Sequence, residues 1–219
     1  MTIKAFLFDH DGTLVDSEST HLALWRKTLE PFNVTISNDD YLSFFLGVPT
    51  EKTAEILCKK HNLPLSSESL VCSKVNHTRH FLTHSYFPKM SGAGELLIEC
   101  ASRLPVALVS GSQRFCIDAT LAGHQWGSLF AYIVTGDDVL NNKPHPDSYL
   151  KALDLLGVRG NEAITIEDTE SGVKASTSAG IRTVAIRNQY SLSHDFSKAD
   201  VEVANLAEAK AWIRTQLSS

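Results

Sequence analysis

Two aspartates two residues apart, Asp9 and Asp11, lie in the segment Phe8-Asp9-His10-Asp11-Gly12-Thr13-Leu14, directly after the apolar run Ile3-Lys4-Ala5-Phe6-Leu7-Phe8. The run reads as a buried first strand that ends in an acidic turn. Charge buried at such a tip is expensive unless a cation or a substrate proton compensates it. The pair does suit chemistry: one Asp can attack an electrophile while the other moves protons, with a metal holding both. Gly12 permits a sharp turn, and Thr13 adds a hydroxyl at the tip. Alone, Asp-x-Asp-Gly also fits a solvated turn. A calcium loop is excluded, because its further acidic ligands and terminal Glu do not follow at the required spacing.

Three later segments carry matching chemistry. Val106-Ala107-Leu108-Val109-Ser110-Gly111-Ser112 is an apolar strand ending in small hydroxyl residues. Asn142-Lys143-Pro144-His145-Pro146-Asp147 places a lysine in a rigid loop before a helix. Ala163-Ile164-Thr165-Ile166-Glu167-Asp168-Thr169 is an apolar strand ending in carboxylates. Each has a plainer reading: Lys143 as an exposed loop lysine, Ser110 as a helix cap, Glu167-Asp168 as partners of a helix dipole. Jointly they point to a site, because strand ends in an open parallel α/β sheet converge on one edge where ligands bind.

The elements that position these residues follow from periodicity. Residues 16–86 show helical patterns and no strand. Leu22, Trp25, Leu29 and Phe32 recur after Asp16-Ser17, and Tyr41, Leu42, Phe44 and Phe45 form a short aromatic helix ending at Gly47. A third helix is expected from Thr50 to Lys60, and a fourth carries Val71, Val75, Thr78 and Leu82. Strands and helices then alternate to the end, the pattern of a mostly parallel sheet with helices on both faces. The expected fold is a Rossmann-like α/β core, residues 1–15 and 87–219, with an inserted all-helical cap, residues 16–86. A cap on two short linkers can close over a site, exclude water and choose the substrate.

In their order, Asp9-x-Asp11-Gly12-Thr13, Ser110, Lys143 and Glu167-Asp168 resemble the motifs of the haloacid dehalogenase superfamily of phosphatases and phosphomutases. The resemblance spans most of the chain. It implies Asp9 as nucleophile, forming an aspartyl-phosphate, and Asp11 as acid, then base. It implies Ser110 on the transferring phosphoryl group and Lys143 neutralising Asp9 and phosphate. Gly12, Thr13, Gly111 and Ser112 are its expected phosphate surroundings. Mg²⁺ is the implied cofactor, held by Asp9, Asp168 and the Asp11 backbone carbonyl, with Glu167 in or near its outer shell; oxygen-only ligands favour Mg²⁺ over zinc.

The insertion just after the first motif is similar to that of the subgroup containing β-phosphoglucomutase and small phosphatases. His21 stands where the mutase has a cap histidine. Thr50 stands where the mutase loop carries a phosphate-binding arginine, which weighs against a mutase, since a bidentate arginine suits a second phosphate. Lys74, or with a weaker claim Arg79, could stand in for that arginine from the fourth helix. Thr13 likewise fits the phosphatase form of the motif. The expected activity is Mg²⁺-dependent hydrolysis of a small organic phosphate monoester, a sugar phosphate. A sugar phosphomutase is the alternative, and a catalytically idle phosphate-binding member ranks below it. A signalling receiver domain would lack the helical insertion.

Bulk properties agree with a soluble α/β protein: 219 residues, 43% hydrophobic, 21% charged. A net charge of -5 argues against a nucleic-acid partner. No apolar stretch approaches the roughly 20 residues needed to span a bilayer, and no signal peptide is read at the N-terminus. Cytoplasmic residence and a monomer are the default expectations. Cys58, Cys72, Cys100 and Cys116 show no zinc or CxxC spacing and read as free, mostly buried thiols. His10 is expected to point away from Asp9 and Asp11 by strand alternation.

Overall fold

The computed structural model describes residues 2–217. They divide into two compact units, one made of the residues up to Asp16 together with those from Pro88 onward, the other of Ser17–Phe87.

The first unit is built on a six-stranded sheet: β1 (Ala5–Phe8), β2 (Val106–Val109), β3 (Tyr132–Val134), β4 (Ala163–Glu167), β5 (Arg182–Ile186) and β6 (Val201–Val203). The order is β3-β2-β1-β4-β5-β6, and every pairing is parallel. β1, β2 and β4 are buried at every position. That burial follows from central strands covered on both faces, and it explains why they read as unbroken apolar runs. Helices α5 (Ala93–Ala101), α6 (Arg114–His124), α7 (Asp147–Leu156), α8 (Glu170–Ser178) and α9 (Leu206–Leu217) complete the unit. Tyr149, Ala152 and Leu153 of α7 pack with Leu7, Ala107, Val109 and Val134 in one core cluster.

The strand order puts the ends of β1 and β4 side by side. Phe8 pairs with Ile166, so Asp9 and Glu167 leave the sheet as neighbours. On the other flank Phe8 pairs with Leu108, which brings Ser110 to the same edge.

The second unit holds α1 (Ser17–Leu29), α2 (Asn38–Phe44), α3 (Thr50–His61) and α4 (Ser67–His84). Its core gathers Trp25, Leu29, Ile36, Tyr41, Phe45, Ala54, Leu57 and Leu70. α1 stops at Leu29 and gives way to a 3₁₀ turn at Glu30–Phe32, short of the periodicity that runs to Phe32. Pro31 is the cause, since a helix cannot continue hydrogen bonding through a proline. In α4 the buried residues are Leu70, Lys74 and Thr78: Thr78 lies on the expected stripe, while Leu70 and Lys74 take the places expected of Val71 and Val75. No described helix is long and apolar enough to cross a membrane. The four cysteines are free; Cys100 and Cys116 are buried, Cys58 is half-buried, and Cys72 is exposed, which corrects the expectation of mostly buried thiols.

Candidate active site

Three acidic side chains and one lysine form the centre of the first unit. Lys143 Nζ donates to Asp9 Oδ1 at 2.6 Å, to Glu167 Oε1 at 2.6 Å and to the Val109 carbonyl at 3.0 Å. The loop lysine is therefore a half-buried residue that ties the ends of β1, β2 and β4 together. Carboxylate oxygens of Asp9, Glu167 and Asp168 lie within 4.8 Å of one another, the arrangement that suits a metal ion. Asp168 is held on both oxygens by neutral donors: Thr13 Oγ1 donates to Oδ1 at 3.2 Å and Asn188 Nδ2 to Oδ2 at 2.9 Å.

Glycines make room for two of these carboxylates. A Cβ on Gly12, whose φ is +80°, would fall 2.0 Å from Asp168 Oδ2. A Cβ on Gly172, in the first turn of α8, would fall 2.0 Å from the Glu167 carboxyl. The turn at Gly12 and the helix start at Gly172 are thus shaped around acidic groups.

Asp11 faces a different set of partners. Ser110 Oγ and Ser112 Oγ donate to Asp11 Oδ2 at 3.1 and 2.7 Å, and the Ser112 backbone N–H donates to Ser110 Oγ at 2.9 Å. Ser110 does not cap α6, whose N-cap is Gln113. The two aspartates are therefore sorted by environment, Asp9 against a cation and Asp11 against hydroxyls. Gly111 lies between the two serines on the same loop.

Electrostatics follow from burial. Burial raises the Asp9 carboxyl well above its ordinary range; the Lys143 charge opposes this, and the neighbouring acids add to it. Burial and then the Glu167 charge push Asp168 up to about 8, against the hydrogen bonds from Asn188 and Thr13. Burial works against the Lys143 ammonium, yet Asp9 and Glu167 outweigh it and raise its pKa above that of ordinary lysine. With all three acids ionised, one ammonium leaves two negative charges uncompensated. A divalent cation with oxygen ligands would balance them, so the residues present fit Mg²⁺.

His10 departs from expectation. It is fully buried, and its Nδ1 lies 3.2 Å from Asp11 Oδ1. Strand alternation fails there because β1 ends at Phe8, and the Leu14 and Val15 backbone N–H groups turn back onto the His10 carbonyl. Its ring is therefore placed by a turn, where the two-residue period no longer applies.

Three proposed site residues belong to the helical unit. Lys74 is buried, its Nζ lies 3.1 Å from His21 Nδ1, and it sits 5.8 Å from the Trp25 ring centroid. His21 also meets the Phe87 ring edge-on at 5.3 Å. Thr50 is the first residue of α3.

Two residues of the core site were not singled out by sequence. Tyr149, read as an apolar face of α7, donates its hydroxyl to Glu167 Oε1 at 2.6 Å, and Lys143 Nζ lies 5.1 Å from its ring centroid. A buried tyrosine hydroxyl needs a partner, which is the signal that could have flagged it. Asn188 lies just past β5, at the same sheet edge as the other motifs.

Comparison with known proteins agrees with this geometry. A family model for haloacid dehalogenase-like hydrolases matches residues 6–186. Protein CbbY of Rhodobacter capsulatus is 29% identical over 95% of this chain and 96% of its own length. The fructose-1-phosphate phosphatase YqaB of Escherichia coli is 28% identical over 83% of this chain and 95% of its own. The crystal structure of CbbY from Rhodobacter sphaeroides in complex with phosphate superposes with a TM-score of 0.79, at 27% identity, covering 94% of this chain and 96% of that one. With its motif residues gathered at one sheet edge and a family match running from β1 to β5, this chain belongs to the haloacid dehalogenase-like hydrolases.

Proposed function

We propose that this hydrolase is a Mg²⁺-dependent phosphatase that acts on a small organic phosphate monoester, a sugar phosphate. The observation that carries the reading is the pairing of Lys143 with Asp9 and Glu167 beside Asp168, while Asp11 stands apart on two hydroxyls. That is the equipment phosphoryl transfer needs: a nucleophile, a separate proton carrier and concentrated positive charge. The relative named as a fructose-1-phosphate phosphatase supports the substrate class.

Asp9 is the nucleophile. Lys143 holds Oδ1, and Oδ2 attacks phosphorus as the ester P–O bond breaks. Asp11 gives its proton to the departing alcohol oxygen. As a carboxylate it then takes a proton from water, whose oxygen attacks the aspartyl-phosphate and releases inorganic phosphate and free Asp9. Ser110 and Ser112 orient Asp11, and with Gly12, Thr13 and Gly111 they surround the phosphoryl group. Asp9, Asp168 and the Asp11 carbonyl would hold Mg²⁺, with Glu167 in or near its outer shell, and the bound ion would supply positive charge at the phosphoryl oxygens. Substrate choice is assigned to the helical insertion, residues 16–86, with His21, Thr50 and Lys74.

The test is phosphate release from a panel of sugar phosphates in Mg²⁺ and in EDTA, with β-glucose 1,6-bisphosphate added in parallel to β-glucose 1-phosphate. Free phosphate that requires Mg²⁺ supports the reading. Conversion to glucose 6-phosphate without net release would make the protein a phosphomutase, and turnover indifferent to EDTA would remove the metal.

A further inference from the structure

Between β5 and β6 the chain makes a loop whose residues no motif covers, yet it reaches the acidic cluster directly. Asn188 Nδ2 donates to two oxygens, the Gly12 carbonyl at 3.0 Å and Asp168 Oδ2 at 2.9 Å. These belong to the turn after β1 and the turn after β4, so one amide bridges the first and last motifs. The bridge is on the side of Asp168 opposite Thr13, which donates to Oδ1. Each carboxylate oxygen has two lone pairs, so one donor on each still leaves one free for a cation.

The amide has only one way to face. Asn188 Oδ1 accepts from the Tyr190 backbone N–H at 2.7 Å, which forces the nitrogen toward Gly12 and Asp168. Ser191 Oγ accepts from the Asn188 N–H at 3.0 Å and so closes the turn. Further along, Arg187 donates to the Ser191 carbonyl at 2.6 Å and to the Leu192 carbonyl at 3.2 Å, and stacks on Phe196 at 4.6 Å. Tyr190 Oη donates to Asp16 Oδ1 at 2.8 Å, which anchors the loop on the segment that follows β1. The loop is thus built to hold one side chain at one place.

We infer that Asn188 is a positioning residue for this site: it orients the Asp168 carboxylate toward the cation and fixes the Gly12 turn against it. The inference rests on the reading of the cluster as a Mg²⁺ phosphatase site. An amide suits the task because it donates without adding charge. A lysine at this position would compete with the cation, and a carboxylate would face Asp168 with a like charge. Groups that hold metal ligands in place commonly contribute about 10–100-fold in metal affinity or activity.

Two variants test it. Asn188→Asp is isosteric and keeps the acceptor for Tyr190; it removes the donation to Gly12 and Asp168 and sets a like charge beside Asp168. Asn188→Ala removes the whole amide. Mg²⁺ binding to the intact protein is measured by titration calorimetry, and sugar-phosphate turnover by phosphate release. The expected result is Mg²⁺ binding about tenfold or more weaker in Asn188→Ala, and a similar fall in kcat for Asn188→Asp with KM within about threefold of wild type. Far-UV circular dichroism and metal-free melting check folding; should Asn188→Ala fail to fold, the kcat–KM split of Asn188→Asp decides alone. Wild-type Mg²⁺ affinity in folded Asn188→Ala, or wild-type kcat in Asn188→Asp, overturns the inference and leaves the phosphatase reading standing. A wild-type protein that neither binds Mg²⁺ nor releases phosphate overturns that reading first, and this one with it.

Discussion

Replacing Asp168 with Asn is expected to stabilise the metal-free protein at alkaline pH and to abolish its response to Mg²⁺. Asp168 is 2% exposed, and burial followed by the Glu167 charge pushes its carboxyl up to about 8. The folded chain therefore holds a proton that the unfolded chain gives up near 3.8. Stability from this group is complete below that lower value and is lost as pH rises through about 8. At about 1.4 kcal/mol per tenfold, the whole displacement sets a ceiling of about 6 kcal/mol. Asparagine keeps the shape and carries no charge; its amide oxygen can accept from Asn188 while its nitrogen faces Thr13. With relaxation of the remaining acids the gain is about 2–3 kcal/mol at about pH 8.5, and small at about pH 5. Urea denaturation in EDTA at the two pH values measures it. Mg²⁺ is then added: it stabilises wild type by binding the folded state and leaves the variant unmoved. The reasoning is refuted if the variant is no more stable than wild type at alkaline pH without metal, or if Mg²⁺ raises both equally.

Asp9→Asn is expected to lower phosphate release by about 10⁴-fold with the fold intact, because the nucleophile is gone; rapid-quench labelling of the protein by substrate phosphate should vanish with it. Asp11→Asn lowers turnover by about 10²–10⁴-fold through loss of proton transfer, measured by steady-state kinetics. Gly12→Ala places a methyl 2.0 Å from Asp168 Oδ2 at a φ of +80°; backbone strain alone costs about 1–2 kcal/mol, and calorimetry should show Mg²⁺ binding lost. Tyr149→Phe keeps the ring beside Lys143 and removes the hydroxyl bond to Glu167. It is expected to cost about 1–2 kcal/mol of stability and about tenfold in kcat with KM unchanged.

The sheet was legible because its central strands are apolar runs ending in acids and hydroxyls. β2 and β4 begin where the sequence places them, β1 begins at Ala5 two residues inside the apolar run, and their ends carry Asp9, Ser110 and Glu167. The helical insertion was legible because residues 16–86 keep a helical period with no strand, and α3 and α4 appear where that period runs. Local chemistry blurred the details. Pro31 ended α1 early, and the stripe in α4 centred on Lys74, whose long apolar stem can be buried beneath its charge.

Residue type and order alone determined the parallel α/β class, the helical insertion and the set of groups able to do chemistry, because periodicity and strand-end composition are local properties. Tertiary structure decided which groups meet. The order β2-β1-β4-β5 turned a loop lysine into the partner of Asp9 and Glu167. It also placed Asn188, 20 residues beyond Asp168 in the chain, against that carboxylate. His10 turned toward Asp11 once the strand had ended, and Tyr149 turned its hydroxyl onto Glu167. None of these contacts follows from spacing along the chain: those of Lys143, Asn188 and Tyr149 depend on segments that only the folded sheet brings to one edge, and that of His10 on the turn after β1.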